Sequence, residues 1–366
     1  MKRRRILWRL GAALALTAIA GLSAWQTATW HNRGIVVELL DDQATQVADG
    51  LQERLRTYEL GLRGLRGMIA ASGGRDVHQD VVHAYSATRD FKEEFPGALG
   101  MSVAWRVPQA ELDAFVRQRQ DLGLPNFLVR QLGPNDGDRW LVSHIEPATR
   151  DQSSLGLDLG SDATRRAGIA QVLATGKVTL TAPLKLKSLA DAPGVLLFVP
   201  YESARAAARD SAARTPRIEG LVYTPLHLED VFANIVTARA GQIRLRLRDA
   251  DAGSQIDLLR QPGADAATAH DAPKVRREVP LYGRTWVVEL TATDALVAAQ
   301  RQVRPAAAAA LGALGTALLC LMAHLAAESR RRVRQVEIER QRRAAIIESS
   351  DDAVIAETHD GVVIEW

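Results

Sequence analysis

Ala306 to Ala327 is an uninterrupted run of 22 residues with one histidine and no formal charge, and it limits the possible folds more than any other stretch. At 1.5 Å per residue a helix of that length reaches about 33 Å, enough to cross a hydrocarbon core of about 30 Å. Arg330, Arg331, Arg332 and Arg334 follow at once, which assigns that end to the cytoplasmic side. Residues 1–30 repeat the pattern in reverse: Lys2, Arg3, Arg4 and Arg5, an apolar stretch from Leu10 to Ala24, then Trp25 and Trp30. Two readings of this segment stay open. One is a signal peptide cleaved near Ser23 and Ala24; the other is a retained anchor with its basic end inside and its tryptophans at the far interface. A second span makes the anchor the more coherent reading. The two basic flanks then lie on the same side, so the expected topology is a two-pass protein of the cell membrane. Both termini are cytoplasmic and residues 31–304 are outside.

The rest of the composition excludes several classes. With 366 residues, 47% hydrophobic and 24% charged, the chain supports one or two globular domains besides the spans. Its net charge is only +3, with arginines gathered beside the apolar runs, so no nucleic-acid footprint is expected. The one cysteine, Cys320, sits within the second apolar run, so no internal disulfide forms. The eight histidines show no metal-ligand spacing, and no nucleophile elbow, Walker loop or S-x-x-K pattern occurs. No metal, cofactor or catalytic residue is therefore expected here, and an enzymatic output module is expected beyond Trp366 or is missing.

Between the spans the pattern is mixed helix and strand. Leu40, Val47, Leu51, Leu55, Tyr58, Leu62, Leu65 and Ile69, with Ala44 between them, recur at helical spacing. They predict a long stalk helix over residues 31–74 that stops at Ser72-Gly73-Gly74. Its stripe suits either a dimer seam or packing on its own domain. Residues 98–105 predict a strand, 108–120 a helix, and 126–132 and 140–145 two strands around the turn Gly133-Pro134-Asn135-Asp136-Gly137. Ser161 or Asp162 can cap a helix with Ile169, Val172 and Leu173 on its apolar side, and Gly176 stops it. Val178-Thr-Leu-Thr-Ala alternates like a strand and ends at Pro183. Val195 to Val199 fits a strand buried on both faces. Residues 202–217 read as a loop, 219–226 as a strand, 229–236 as a helix, 242–248 as a half-buried strand and 249–274 as a loop. Residues 276–281 and 285–291 predict a hairpin around Tyr282-Gly283.

The run from Asp158 through Arg165-Arg166, then Thr175-Gly176-Lys177, Leu180-Thr181-Ala182-Pro183 and Pro193-Gly194-Val195-Leu196, with Pro200 and Tyr201 after it, resembles the core of a CHASE domain. Phe95-Pro96-Gly97 and Arg106-Val107-Pro108 extend the likeness upstream, so that it covers roughly residues 75 to 230. CHASE domains are the extracytoplasmic sensors of receptor kinases and cyclases. The resemblance implies an α+β, PAS-like sensor with a long N-terminal stalk helix, set between two transmembrane helices. It divides the chain into a basic tail (1–9), a first span (10–30), the stalk (31–74), a sensor core (75–235), a membrane-proximal subdomain (236–304) and a second span (305–327). A cytoplasmic coiled-coil connector (328–343) and the start of an incomplete PAS domain (344–366) follow.

In plant members that bind cytokinins, an aspartate at the position of Asp158 hydrogen-bonds the ligand's ring, and the strand matching Leu180 and Thr181 lines the pocket. The candidate ligand site is therefore Asp158, Leu180, Thr181, Pro183 and Leu184. Leu184 stands where the plant proteins carry an aromatic side chain, so the adenine ligand does not carry over. The alternative role for Asp158 is to secure the turn before the helix. The implied function is a homodimeric membrane receptor for an unidentified small molecule, with a histidine kinase as the expected output. A diguanylate cyclase or phosphodiesterase, or an external domain that binds a protein, are the alternatives.

Overall fold

The computed structural model describes residues 2–147, 152–186, 192–202, 218–232, 241–251, 256–260 and 272–348, with short pieces at 235, 356–357, 360 and 363–365. Its contacts divide the chain into a unit of residues 35–300 and a unit formed by residues 1–34 and 301–366. One helix, α1 (Lys2–Ala71), contributes to both.

Within residues 35–300 the stalk stripe is spent on its own domain. Leu40, Ala44, Val47, Leu51, Leu55, Tyr58, Leu62, Leu65 and Ile69 are each 3% exposed or less and join one apolar core. Their helical period puts all of them on one face of α1. The helix stops where expected, at Ser72, because Gly73 and Gly74 adopt φ of +105° and +64°, a region costly for any residue with a Cβ.

Six short helices and ten strands follow among the described residues. First come α2 (Gln79–Ser86), α3 (Phe91–Glu94), β1 (Met101–Val107), α4 (Leu112–Asp121) and β2 (Arg139–Glu146). Next are α5 (Ala163–Thr175), β3 (Thr179–Leu180), β4 (Leu184–Leu186), β5 (Ala192–Glu202) and β6 (Ile218–His227). The strands form an antiparallel sheet in the order β2-β1-β6-β5-β3, with β4 also paired to β5. Side chains alternate across this sheet, as the strand period of two requires. Val103, Trp105, Leu180, Leu197, Val199 and Val222 share the core of α1, while Ala104, Trp140, Val142, Leu196, Phe198 and Tyr223 share a second core with Ile169 and Val172 of α5. The sheet is thus covered by α1 on one face and α5 on the other. That is why Val195 to Val199 reads as an unbroken apolar run rather than an alternating one.

A smaller sheet follows α6 (Leu228–Phe232): β7 (Ile243–Asp249), β8 (Ile256–Arg260), β9 (Lys274–Leu281) and β10 (Arg284–Ala292), in the order β8-β7-β10-β9. The short helix α7 (Asp294–Ala299) comes after it. Ile243, Leu245, Leu247, Val288 and Leu290 turn inward, and the arginines of β7 alternate with them. The β9–β10 turn is the two-residue Tyr282-Gly283, with φ of +46° and +84°, the signs a primed hairpin turn demands.

Two expectations need correction. Residues 126–132 do not form a strand; they contribute a single bridge, Arg130 to Leu157. Of their side chains Phe127 is buried, but Leu128 is 65% and Leu132 37% exposed, so there is no buried face to fix a register. Residues 249–274 are not all loop, because β8 pairs antiparallel with β7. The expected loop at 203–217 lies outside the described residues.

The second unit contains α8 (Pro305–Glu348) and a small antiparallel pair, β11 (Ala356–Glu357) and β12 (Val363–Glu365). Both α1 and α8 are long and apolar enough to cross a membrane. They approach through small residues: a Cβ on Gly21 would lie 3.3 Å from the Ala309 carbonyl oxygen, and one on Gly312 3.0 Å from the Ala24 Cβ. Small residues at such crossings let backbones pack closely. The Asn32 side chain pairs with the backbone of Val303, donating to its carbonyl at 2.7 Å and accepting from its N–H at 3.2 Å.

The burial pattern of α1 gives a direct test by denaturant unfolding. Leu62→Ala removes a fully buried side chain and should cost about 2–5 kcal/mol. Leu60→Ala, at a residue 60% exposed, should change stability by no more than about 0.5 kcal/mol.

Candidate functional site

The second face of the large sheet is where polar chemistry is buried. Its cover is built by a short lead-in and α5. The segment Leu159–Ser161 is a single 3-10 turn whose cap is Asp158. Asp162 caps α5, its carboxylate accepting from the Arg165 N–H at 2.9 Å. The helix ends at Gly176, φ +67°, whose N–H returns to the Val172 carbonyl. This is the left-handed stop that glycine supplies. Of the two caps open in the sequence, Asp162 is the one used.

α5 lies close to the sheet because Gly168 carries no side chain. A Cβ there would fall 2.9 Å from Thr181 Cγ2 and 3.1 Å from Phe198 Cε2. Beneath the helix, Ser102 and Tyr223 are each 3% exposed and Arg165 8%, within an otherwise apolar wall. The Tyr223 oxygen accepts from the Ser102 hydroxyl, and burial pushes the Tyr223 pKa up to about 12, opposed by that bond and by the nearby Arg165 charge. Arg165 reaches Asp162 at 3.3 Å. Burial of a hydroxyl pair and a guanidinium costs free energy unless they are partnered, and here Tyr223 is partnered by Ser102 and Arg165 by Asp162.

The five residues singled out in the sequence do not meet at one point. Thr181 is 1% exposed and contacts α5 at Gly168, while its hydroxyl accepts from the Leu196 N–H at 3.0 Å. Leu184 packs against the same core, and Pro183 lies between them, partly buried. Leu180, fully buried, turns to the opposite face and joins the core of α1. Asp158 bridges to Leu141 of β2, at the other edge of the sheet from β3. Four strand spacings of about 4.8 Å separate those edges. Asp158 is completely buried, and both carboxylate oxygens are engaged: Oδ1 accepts from the backbone N–H groups of Trp140 and Gly160, each at 2.9 Å. Oδ2 accepts from Asn135 Nδ2 at 2.8 Å and from Arg139 Nη1 at 3.4 Å. In this arrangement Asp158 secures the lead-in to α5.

Arg165, Tyr223 and Ser102 were not singled out by the sequence. A signal for Arg165 exists: it occupies the same helical face as Ile169 and Val172, where an apolar residue would be ordinary. Ser102 and Tyr223 give no such signal, because an alternating strand tolerates either residue.

A further buried group belongs to β2. His144 is 1% exposed, and its Nδ1 lies 2.8 Å from Ser143 Oγ. Burial, with the neighbouring Arg119 charge, lowers its pKa to about 3, against a favourable hydrogen bond with the Val77 backbone. Arg119, itself fully buried, rests on the Phe115 ring at 5.1 Å.

Comparison with known proteins gives one family and a distant set of structures. A family model described as a CHASE domain matches residues 75–259, just over half of the chain. A search of curated proteins finds no match. Among solved structures the chain is similar to an extracellular ligand binding receptor from Desulfohalobium retbaense DSM5692, at 12% identity and TM-score 0.46, over 69% of this chain and 40% of that one. It is also similar to the periplasmic sensory domain of the Campylobacter jejuni chemoreceptor Tlp1, at 12% identity and TM-score 0.45, covering 76% of this chain and 99% of that one. The ligand-binding domain of the Campylobacter jejuni chemoreceptor Tlp3, solved with L-norvaline, matches at 11% identity and TM-score 0.39, over 71% and 92% of the two chains.

Two stability measurements follow from this geometry. Asp158→Ala leaves four donors facing an empty site and should cost about 3–5 kcal/mol in denaturant unfolding, as removal of a buried charged partner does. His144 is neutral in both states above the unfolded value of 6.5. Below it the unfolded chain binds a proton that the folded chain refuses until about pH 3. Stability should therefore fall with pH through this window, by about 1.4 kcal/mol per unit once below the unfolded pKa. The same titration in His144→Gln should be shallower by that amount.

Proposed function

The chain belongs to the CHASE-domain family, and on that premise we propose that it is a membrane receptor whose extracytoplasmic domain senses a small molecule. The match across residues 75–259 carries this reading. It spans the whole of the large sheet and its α5 cover. The strand order β2-β1-β6-β5-β3 supports a PAS-like description of the sensor core, residues 75–235, with residues 236–304 as a membrane-proximal subdomain. Two helices long and apolar enough to cross a membrane, each with its basic flank on the same side of the sequence pattern, support a two-pass topology with residues 31–304 outside.

The proposed ligand site is the α5-covered face. Thr181, Pro183 and Leu184 supply its β3–β4 side, and Ser102, Tyr223 and Arg165 supply its polar groups. Leu180 supports the site from behind, through the α1 core, and Asp158 supports it by holding the lead-in to α5. A ligand moves the receptor only if it favours one arrangement over another. Insertion under α5 has that property, because Gly168 leaves no slack between helix and sheet.

Signals then pass through the second span and the connector at 328–343 into a PAS domain beginning at 344 and an output module, for which we propose a histidine kinase. A diguanylate cyclase or phosphodiesterase is the alternative output. We propose a homodimer as the working assembly. Because the α1 stripe is occupied by its own domain, the dimer contact must use other residues of the stalk or of the connector.

The test is a metabolite panel of purines, amino acids and carboxylic acids, screened by thermal shift on the full chain in detergent. Each hit is then titrated against Arg165→Gln and Tyr223→Phe, with folding checked by circular dichroism. A hit whose Kd rises at least tenfold in Arg165→Gln supports the site, consistent with a charge-assisted bond worth about 1.5–3 kcal/mol. Hits that bind both variants as tightly as the parent would overturn it.

A further inference from the structure

A concavity opens at the C-terminal end of α5, where Gln171 and Thr175 join its lining. It is a half-open cleft of about 520 Å³, within the size range of small-ligand sites. Its walls come from four directions: Glu59, Arg63 and Arg66 of α1, Lys177 just after α5, Glu202 at the end of β5, and Tyr282 at the β9–β10 turn.

The charges in this cleft do not cancel internally. Glu59 is fully used, since Oε1 accepts from Arg63 Nε at 2.7 Å and Oε2 from the Tyr282 hydroxyl at 2.7 Å. That pairing also accounts for the Arg63 charge. Arg66 donates one N–H to the Pro200 carbonyl at 3.1 Å, a neutral acceptor, and has no carboxylate partner among the described residues. Lys177 has no side-chain partner among the described residues. Glu202 is the one carboxylate left against these two cations.

The frame around them is held in place. The Tyr282 carbonyl accepts from the Leu180 N–H at 3.0 Å, and the Gly283 carbonyl accepts from Gln171 Nε2 at 3.2 Å. Burial raises the pKa of Tyr282, with Glu59 adding to the effect, so this hydroxyl stays protonated as the donor to Glu59. Tyrosine at φ +46° is an uncommon conformation for a residue with a large side chain, and these contacts from β3, α5 and α1 secure it. The cleft therefore presents a preorganised guanidinium and an exposed ammonium. That pair matches a carboxylate, which a guanidinium fork binds through two parallel hydrogen bonds.

We propose that this cleft is a second binding site, taking a small carboxylate-bearing anion between Arg66 of the stalk and Lys177 at the end of α5. The anion is gripped by the guanidinium of Arg66 and the ammonium of Lys177, while Glu202 selects for an O–H or N–H donor on the same molecule. Its position gives it a task. A bound anion ties α1 to the segment that leads into β3, beside the turn that Leu180 already holds, so occupancy adjusts how the sensor core is set against the smaller sheet. This goes beyond the ligand reading of the α5-covered face and does not depend on it.

The experiment uses the full chain in detergent, with succinate and L-malate as probes, potassium sulfate as the anion control and ionic strength held constant with potassium chloride. Saturable binding is read by calorimetry and by the shift in melting temperature at about 10 mM probe, which rises with the ratio of probe to Kd. The expected result is a Kd for malate that rises at least tenfold in Arg66→Gln and in Lys177→Gln, and is unchanged in Arg165→Gln. Glu202→Gln should reduce the preference for malate over succinate. Lys177 is exposed, so its variant should melt like the parent without probe and keeps the test valid if Arg66→Gln unfolds. No saturable binding of either probe, binding matched by sulfate, or equal constants in parent and Lys177→Gln would overturn the proposal.

Discussion

The apolar stripe of α1 lying on the large sheet is the contact on which the other arrangements rest. Nine side chains from Leu40 to Ile69 are withdrawn from water on one helical face, each larger one worth about 1.5–3 kcal/mol when fully buried. They cover one side of the sheet and so commit its odd-numbered β1 residues, Val103 and Trp105, to that side. Period two then commits Ser102 and Ala104 to the other. The face left over is the one α5 covers. The α5-covered face is thus the second of two layers, and its position follows from the first.

This ordering changes the meaning of Asp158. A carboxylate beside an apolar pocket is an attractive ligand anchor, yet here its four acceptor positions are taken by Trp140, Gly160, Asn135 and Arg139. Its contribution is to fix where α5 begins. Other buried polar groups lie under the helix itself, where Arg165, Tyr223 and Ser102 sit among aromatic and branched side chains. The opposite end of α5 is fixed as well, through Gln171 and the Tyr282-Gly283 turn. A helix pinned at both ends and resting on Gly168 is a part whose small displacement is felt at each pin.

Much of the architecture was legible in the sequence because period decides it. The stalk stripe, its glycine stop, the Tyr282-Gly283 hairpin and the α5 boundaries at Asp162 and Gly176 all follow from spacing and from residues suited to special backbone angles. What spacing does not carry is which partner an apolar face will choose. The α1 stripe suited a second chain as well as its own sheet, and the structure assigns it to the sheet. Residues 126–132 had strand-like composition without a face to bury, so no ladder formed. β8 was missed because its five residues sit between two segments that read as loop. Of the candidate residues, Thr181 and Leu184 came from the family likeness, whereas the pairing of Ser102 with Tyr223 became visible only when the sheet brought β1 beside β6.

Hydrogen exchange on the full chain tests the central claim most directly, that α1 and the large sheet are one cooperative core. Buried elements that unfold together exchange with a common free energy, while an independent helix frays on its own. Amides of α1 between Leu40 and Ile69 should exchange as slowly as those of β1, β5 and β6, and Leu62→Ala should accelerate all of them alike. Fast exchange along α1 while the three strands stay protected would contradict it.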